Sequence, residues 1–358
     1  MTHITKLSST SFASLESYLS HSDITNLQDA LDLSWAPQTL KSYSKAVQEY
    51  SAFCKHRAIP RFLRFPAHET ALCAFAASHL GRYSISTLRN KLSGLKTFHT
   101  VHNMQWNDSP RLKAILRGVQ RATPRSSTRP KRQPVTATML SNLITHLDLQ
   151  NPLDACVAAC AATSFWGQCR LGELLPTSAS LSHPHISNLP SRSHLRRSAS
   201  RKLRDSSFKL YLPRTKTKHE GDTVVLNARS HHSNPLPLLR RHLAANPLPS
   251  NTPLFAYISP SNVNTPHCLL TKRHFLSRCN KVWSKLGYPR VTGHAFCIGG
   301  TTHLLSSGIP PDVVKATGRW SSDSFLRYWR NIPQIARAHE LPLSTNKHTH
   351  RSRKARRP

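Results

Sequence analysis

Apolar side chains recur at every third or fourth position through most of the first 122 residues, which is the spacing of one face of an α-helix. The first such stripe covers residues 39–57, directly after Pro37, and proline is common in the first turn of a helix. Similar stripes cover residues 68–80, residues 86–102 and a segment that opens at Pro110. These four short amphipathic segments predict a small all-α bundle.

The pattern changes in the second half of the chain. Residues 153–166 are almost entirely apolar but too few to span a bilayer, so we expect a buried helix there. Residues 207–226 hold two runs rich in β-formers around a charged loop with Gly221, which predicts a β-hairpin. The segments around this hairpin have helical spacing. We therefore expect a mainly α protein with a small β-hairpin or sheet.

A change of composition separates the two halves. Residues 123–134 contain three prolines and four basic residues but no apolar side chain, which is typical of an exposed linker. The N-terminus is rich in serine and threonine, and the C-terminus is a basic arm. The predicted division is a disordered N-terminus at 1–22, a helical unit at 23–123, a linker at 124–135, a second unit at 136–343 and a basic tail at 344–358.

The charge of the chain indicates its class of partner. Fifty lysines and arginines against sixteen acidic residues give a net charge of +34. Such a charge repels itself in a compact chain, so a polyanion such as nucleic acid is the expected partner. The eight cysteines are scattered, without the paired spacing of a zinc site, and no apolar secretory segment stands at the N-terminus. We expect reduced thiols, an intracellular location and no membrane association.

The strongest motif spans residues 293–330 and reads GHAFCIGGTTHLLSSGIPPDVVKATGRWSSDSFLRYWR. It places His294, a glycine pair, a Gly-Arg-Trp corner and Tyr328 on three short predicted helices. Upstream, Arg170 lies in CRLGE and Lys216 lies in PRTKTK. This ordered set resembles the active site of the tyrosine recombinases, the lambda-integrase family of DNA breaking-rejoining enzymes.

The resemblance implies a role for each matching residue. Arg170 would grip the scissile phosphate, because its planar fork gives bidentate hydrogen bonds and does not deprotonate. Lys216, with Lys218 as the alternative, would protonate the leaving 5′ oxygen from the hairpin loop. His294 would be the acid/base histidine, and Tyr328 the nucleophile that forms a 3′-phosphotyrosine. The reaction implied needs no metal and no cofactor.

Two positions depart from the family pattern or leave it open. The second family arginine falls on Cys297, whose thiol supplies neither a charge nor a fork of donors. The family's histidine or tryptophan, nine residues before the nucleophile, falls on Arg319, and Trp320 follows it. Either side chain can face the phosphate, and Arg319 there would partly replace the missing charge.

The resemblance also implies partners and domains. Residues 23–123 resemble the family's all-α core-binding (SAM-like) domain, which forms a clamp around double-stranded DNA with the catalytic domain, here residues 136–343. Family members act as tetramers on DNA. The sequence of residues 318–330 resembles that of Crypton-type recombinases of eukaryotic mobile elements. This resemblance implies a nuclear location if the source is a eukaryote. The rival hypothesis is a relic or domesticated DNA-binding protein that no longer cuts. A general RNA-binding protein would explain the charge but not the ordered motif.

Overall fold

The computed structural model describes residue 4 and residues 18–127, 130, 132–180, 186–198, 207–215, 218–259 and 267–328. The chain divides into two compact units, Met1–Lys131 and Arg132–Pro358. The boundary between the units lies inside the segment 124–135 that the sequence predicts as a linker. The predicted basic tail at 344–358 lies outside the described residues.

The described part of the first unit is helical, and its helices begin where the sequence signals a start. Pro37 and Pro110 occupy the first turns of their helices. Ser20 caps the first helix by accepting a hydrogen bond from the Asp23 backbone. Residues 21 and 22, predicted as part of a disordered N-terminus, are therefore helical. The helices are α1 (His21–Leu33), α2 (Pro37–His56), α3 (Glu69–Ala77), α4 (Ile85–Val101) and α5 (Pro110–Arg121).

The core of the first unit is built on an aromatic group. Tyr50 of α2 is fully buried, and its ring meets Phe65 and Phe75 edge-on, with ring centroids 5.6 and 5.4 Å apart. Edge-to-face pairs at such distances are favourable beyond the area that they bury. The apolar stripes of α2, α3, α4 and α5 surround this group. The stripes therefore face one core, as a helical bundle requires.

The second unit is organised around its most apolar helix. Every residue of α7 from Asp154 to Trp166 is buried, which confirms the buried helix predicted there. Helices α9 and α11 pack against it. The helices of this unit are α6 (Ala137–Thr145), α7 (Pro152–Trp166), α8 (Leu171–Leu174), α9 (Pro235–Ala245), α10 (Lys272–Lys285), α11 (His294–Ser306) and α12 (Pro311–Thr317), and a 3-10 helix follows at Asp323–Tyr328.

Two small antiparallel sheets complete the second unit. Strands β1 (Leu195–Ser198), β2 (Ser207–Leu212) and β3 (Asp222–Asn227) form one sheet, and β4 (Ala256–Tyr257) pairs with β5 (Cys268–Leu269). Strands β2 and β3 confirm the predicted hairpin, with Leu212 opposite Asp222. Gly221 closes the loop with a φ of 85°, a conformation that favours glycine. Strand β1 has no clear periodicity in the sequence and was not predicted.

A glycine pair sets the distance between α11 and its neighbours. A Cβ atom on Gly299 would lie 2.1 Å from the Val135 carbonyl oxygen, and one on Gly300 would lie 1.9 Å from the Phe165 carbonyl oxygen. Both carbonyl oxygens belong to the main chain, so a larger residue at either glycine position would push the two backbones apart. The close approach places the start of α11 beside the end of α7.

None of the helices that the structure describes is long and apolar enough to cross a membrane.

We predict that Gly300→Ala destabilises the protein by about 3 kcal/mol, because the added methyl overlaps main-chain atoms that cannot move independently. Gly172→Ala is the matched control, since nothing lies within 4 Å of a Cβ at that helical position. Urea unfolding followed by circular dichroism measures both variants. Wild-type stability of Gly300→Ala would show that the two backbones are not in this contact.

Candidate active site

The phenol predicted as nucleophile lies against the predicted acid/base histidine. Tyr328 ends the 3-10 helix and His294 begins α11, yet the Tyr328 Oη lies 2.8 Å from the His294 Nε2. Thr302, two turns along α11, donates its hydroxyl to the Tyr328 carbonyl at 3.4 Å. Both ring side chains are half-buried. The two helix ends therefore hold a hydrogen-bonded imidazole–phenol pair at the surface.

Arg170 reaches the same place from the end of α7. It caps the short helix α8, and its Nη1 donates to the Glu173 Oε1 at 2.9 Å, while its backbone N–H donates to the Glu173 Oε2 at 2.9 Å. Its Cζ lies 5.3 Å from the Trp320 ring centroid, and the Tyr328 ring lies 5.6 Å from that same indole. Arg170 and Tyr328 therefore both contact the Trp320 indole.

The Gly-Arg-Trp corner turns its two side chains in different directions. Arg319 has a φ of 57°, a left-handed conformation that is uncommon outside glycine. Its side chain is 8% exposed; it donates to the Gly167 carbonyl at 3.1 Å and to the Glu173 Oε2 at 3.4 Å. Trp320, in contrast, contacts Arg170 and Tyr328. A buried carboxylate and a carbonyl thus occupy the Arg319 guanidinium, whereas Trp320 is the side chain of the corner that contacts the predicted site residues.

Cys297 lies next to the histidine, at the position of the missing arginine. Its side chain is almost fully buried, and its Sγ lies 3.2 Å from the His294 Nδ1 and 3.4 Å from the His294 carbonyl oxygen. Burial raises the pKa of the Cys297 thiol to about 12, although the nearby Arg170 charge opposes the shift. The thiol is therefore protonated at neutral pH, so it is neither a nucleophile nor a source of charge.

The predicted general acid is not placed by the structure. Lys216 lies outside the described residues. The alternative, Lys218, is 52% exposed in the β2–β3 loop, and its Nζ pairs with the Asp222 Oδ2 at 2.9 Å. Burial would raise the pKa of the Asp222 carboxyl, but the Lys218 and Thr223 hydrogen bonds lower it overall. Lys218 is thus tied to a carboxylate at the base of its own loop.

One polar residue that holds the site together was missed in the sequence. Gln168 is 3% exposed and has a φ of 51°. It accepts a hydrogen bond from the Thr301 hydroxyl at 2.7 Å and donates to the Thr317 hydroxyl at 3.0 Å. These bonds join the end of α7 to α11 and α12. The sequence contained one indication of this role, because Gln168 follows the apolar run 153–166. An amide side chain in such a place is expected to be buried and hydrogen-bonded, but its partners cannot be predicted.

The comparisons with known proteins identify the fold. No family model matches the chain, and no curated protein matches it in sequence. The XerH site-specific recombinase bound to its difH substrate, in a pre-cleavage complex, aligns with a TM-score of 0.51 at 12% identity, over 91% of this chain and 88% of that chain. A post-cleavage complex of XerH with palindromic difH aligns with a TM-score of 0.51 at 10% identity, over 95% and 87%. The chain therefore has the tyrosine-recombinase fold.

We predict that Arg319→Gln destabilises the protein by about 3 kcal/mol, because it leaves the buried Glu173 carboxylate with one guanidinium fewer. The matched control is Lys218→Gln, which removes an ion pair that is half exposed and is expected to cost less than about 1 kcal/mol. Equilibrium urea unfolding gives both values. If both variants lose the same small amount of unfolding free energy, Arg319 has no structural role and is again a candidate for phosphate binding.

Proposed function

We propose that this chain binds double-stranded DNA and has the site of a strand-breaking and strand-rejoining enzyme, with Tyr328 as nucleophile. The observation that carries the proposal is the 2.8 Å pair between the Tyr328 Oη and the His294 Nε2, beside the Arg170 guanidinium. Each of the three residues comes from a different element, and nothing in a structural role alone requires a phenol, an imidazole and a guanidinium at one place. The net charge of +34 suits a duplex partner.

The proposed reaction exchanges one phosphodiester for another. The Tyr328 oxygen attacks the scissile phosphorus, and its proton passes to the His294 Nε2. The bond from phosphorus to the 5′ oxygen breaks, which leaves a 3′-phosphotyrosine and a 5′ hydroxyl that takes a proton from an acid. We assign that acid to Lys216. Because the phosphotyrosine conserves the ester, attack by a 5′ hydroxyl reverses the steps and rejoins the strand.

Charge neutralisation at the phosphate determines how well this site works. Arg170, whose side chain is 30% exposed, can donate to the phosphate oxygens. The Trp320 Nε1–H is buried without a partner among the described residues, and a phosphate oxygen can satisfy this donor. Cys297 contributes no charge. Loss of one preorganised donor to a transition-state oxyanion typically costs about 3 kcal/mol, or about 10²–10³ in rate.

A second candidate function follows from the missing charge at Cys297. A DNA-binding protein that descends from a recombinase and no longer cuts would keep the fold and the basic surface while losing the second guanidinium. The burial of Arg319 favours this reading, since this arginine does not replace the missing charge. Assembly into a tetramer on DNA, an origin in a mobile element and a nuclear location belong to the same proposal and are argued from the sequence motif alone.

Trapping on a nicked suicide duplex tests the first function. If the chain cuts, the wild type forms a covalent protein–DNA adduct that survives denaturing electrophoresis and disappears in Tyr328→Phe, because the phenylalanine ring keeps the packing but lacks the nucleophilic oxygen. Tyr211→Phe is the control, since this exposed tyrosine lies on β2. An adduct that persists without the Tyr328 hydroxyl would sink the assignment of the nucleophile.

The substitution Cys297→Arg separates the two candidate functions. If the missing guanidinium limits cleavage, this variant forms the adduct about 10²–10³ times faster than the wild type, since it restores a charged donor beside His294. Cys297→Lys restores the charge without the fork and is expected to recover less. An adduct that appears only with arginine supports the non-cutting descendant. Equal adduct formation by wild type and variant would show that the site tolerates the thiol.

A further inference from the structure

A second group of cation-forming side chains surrounds Trp166, at the end of α7. The Arg229 Cζ lies 5.0 Å from the centroid of its ring, and the rings of His303 and His231 lie 5.3 and 6.0 Å from it. These residues, together with Ser233, form the Trp166 cluster. Arg229, His231 and His303 are half-buried, so a ligand can reach them from solvent. The cluster takes no part in the chemistry proposed above.

A chain of hydrogen bonds determines which nitrogen of His231 is a donor. The Trp166 Nε1 donates to the Ser233 Oγ at 3.1 Å, and that hydroxyl lies 2.8 Å from the His231 Nδ1. The Ser233 backbone N–H also points at the His231 Nδ1, at 3.3 Å. Because a backbone N–H can only donate, the His231 Nδ1 is the acceptor. The neutral imidazole of His231 therefore carries its proton on Nε2, where it can bind an anion.

The positive charge of the cluster has no counter-ion in the described part of the chain. The Arg229 Nε is buried without a hydrogen-bond partner, and no described ion pair includes Arg229. Burial lowers the pKa of the His303 imidazole, and His231 and Arg229 lower it further. A half-buried guanidinium beside two imidazoles is unfavourable unless an anion neutralises it.

We infer that the Trp166 cluster binds a phosphate group of the DNA backbone, outside the scissile position. The inference rests on the DNA binding proposed above and adds a contact to it. A duplex presents one phosphate per nucleotide, so its backbone can supply the anion that the half-buried Arg229 guanidinium lacks among the described residues. The net charge of +34 attracts the same polyanion to the chain.

The salt dependence of duplex binding tests the contact. Arg229→Gln is expected to lower the slope of log Kd against log salt by about 0.9 and to weaken binding about eightfold at 0.1 M salt, because one counter-ion fewer is released. Lys285→Gln removes the same charge from an exposed residue outside the cluster and serves as the control. Arg229→Lys, which keeps the charge, is expected to retain most of the slope. Circular dichroism melting verifies that each variant is folded.

The pH dependence gives a second, independent readout. A bound phosphate favours charged His303, so binding takes up a proton and tightens as the pH falls from 8 to 6. His303→Gln is expected to reduce that tightening, whereas His232→Gln, at an exposed neighbouring position, is expected to leave it unchanged. An unchanged salt slope in Arg229→Gln together with an unchanged pH profile in His303→Gln would overturn the inference.

Inorganic phosphate distinguishes a DNA phosphate from a small free anion. Histidine resonances that shift with millimolar phosphate in the wild type but not in Arg229→Gln, without any change in the DNA salt slope, would overturn the DNA assignment. The adduct assay separates this inference from the proposed function. If the wild type forms the adduct but Arg229→Gln leaves the salt slope unchanged, only the phosphate contact at the Trp166 cluster is rejected. If Arg229→Gln lowers the salt slope as expected but no adduct forms, only the proposed cleavage is rejected.

Discussion

The geometry of the site depends on one buried carboxylate. Glu173 is 6% exposed, and its two oxygens accept hydrogen bonds from Arg170 and from Arg319. A carboxylate removed from water is unfavourable unless charged donors surround it. Its need for partners therefore fixes the direction of the Arg170 guanidinium and ties the chain at residue 319 to α8. The elements that carry Trp320 and Tyr328 are positioned by this same contact.

The left-handed conformation of Arg319 sends its side chain and that of Trp320 in different directions. With Arg319 at a φ of 57°, its guanidinium enters the protein, and the indole of Trp320 contacts Arg170 and Tyr328. The strain of this conformation, about 1 kcal/mol or more, is offset by the ion pair with Glu173. The charge of Arg319 thus serves the structure, whereas Arg170, with a side chain that is 30% exposed, is open to a ligand.

The thiol at Cys297 shows how a site can keep its geometry and lose part of its electrostatics. It fills its place on α11, contacts His294 and is neutral. The large positive charge elsewhere on the chain does not compensate, because stabilisation of a developing oxyanion requires donors about 3 Å away. Surface charge at longer range is screened within about 10 Å at 0.1 M salt. In the proposed function, duplex binding and strand cleavage are therefore separable.

The sequence determined the features that depend on local periodicity and ordered motifs. It predicted the helical bundle, the buried helix at 153–166 and the hairpin at 207–226, because apolar spacing and turn residues act within a few positions of the chain. The tyrosine-recombinase fold followed from the resemblance of the ordered motif to that family. It also named His294, Cys297 and Tyr328 as a set. It missed β1, whose short strand carries no alternation, and the partners of Gln168.

Only the tertiary structure decided where the side chains of the corner point. From sequence, Arg319 and Trp320 were equal candidates to face a phosphate. The choice depended on a carboxylate 146 residues away along the chain and on a φ angle that no local pattern specifies. The convergence of Arg229, His231 and His303 on Trp166 has the same origin. Long-range contacts between elements set such arrangements, and local periodicity carries no information about them.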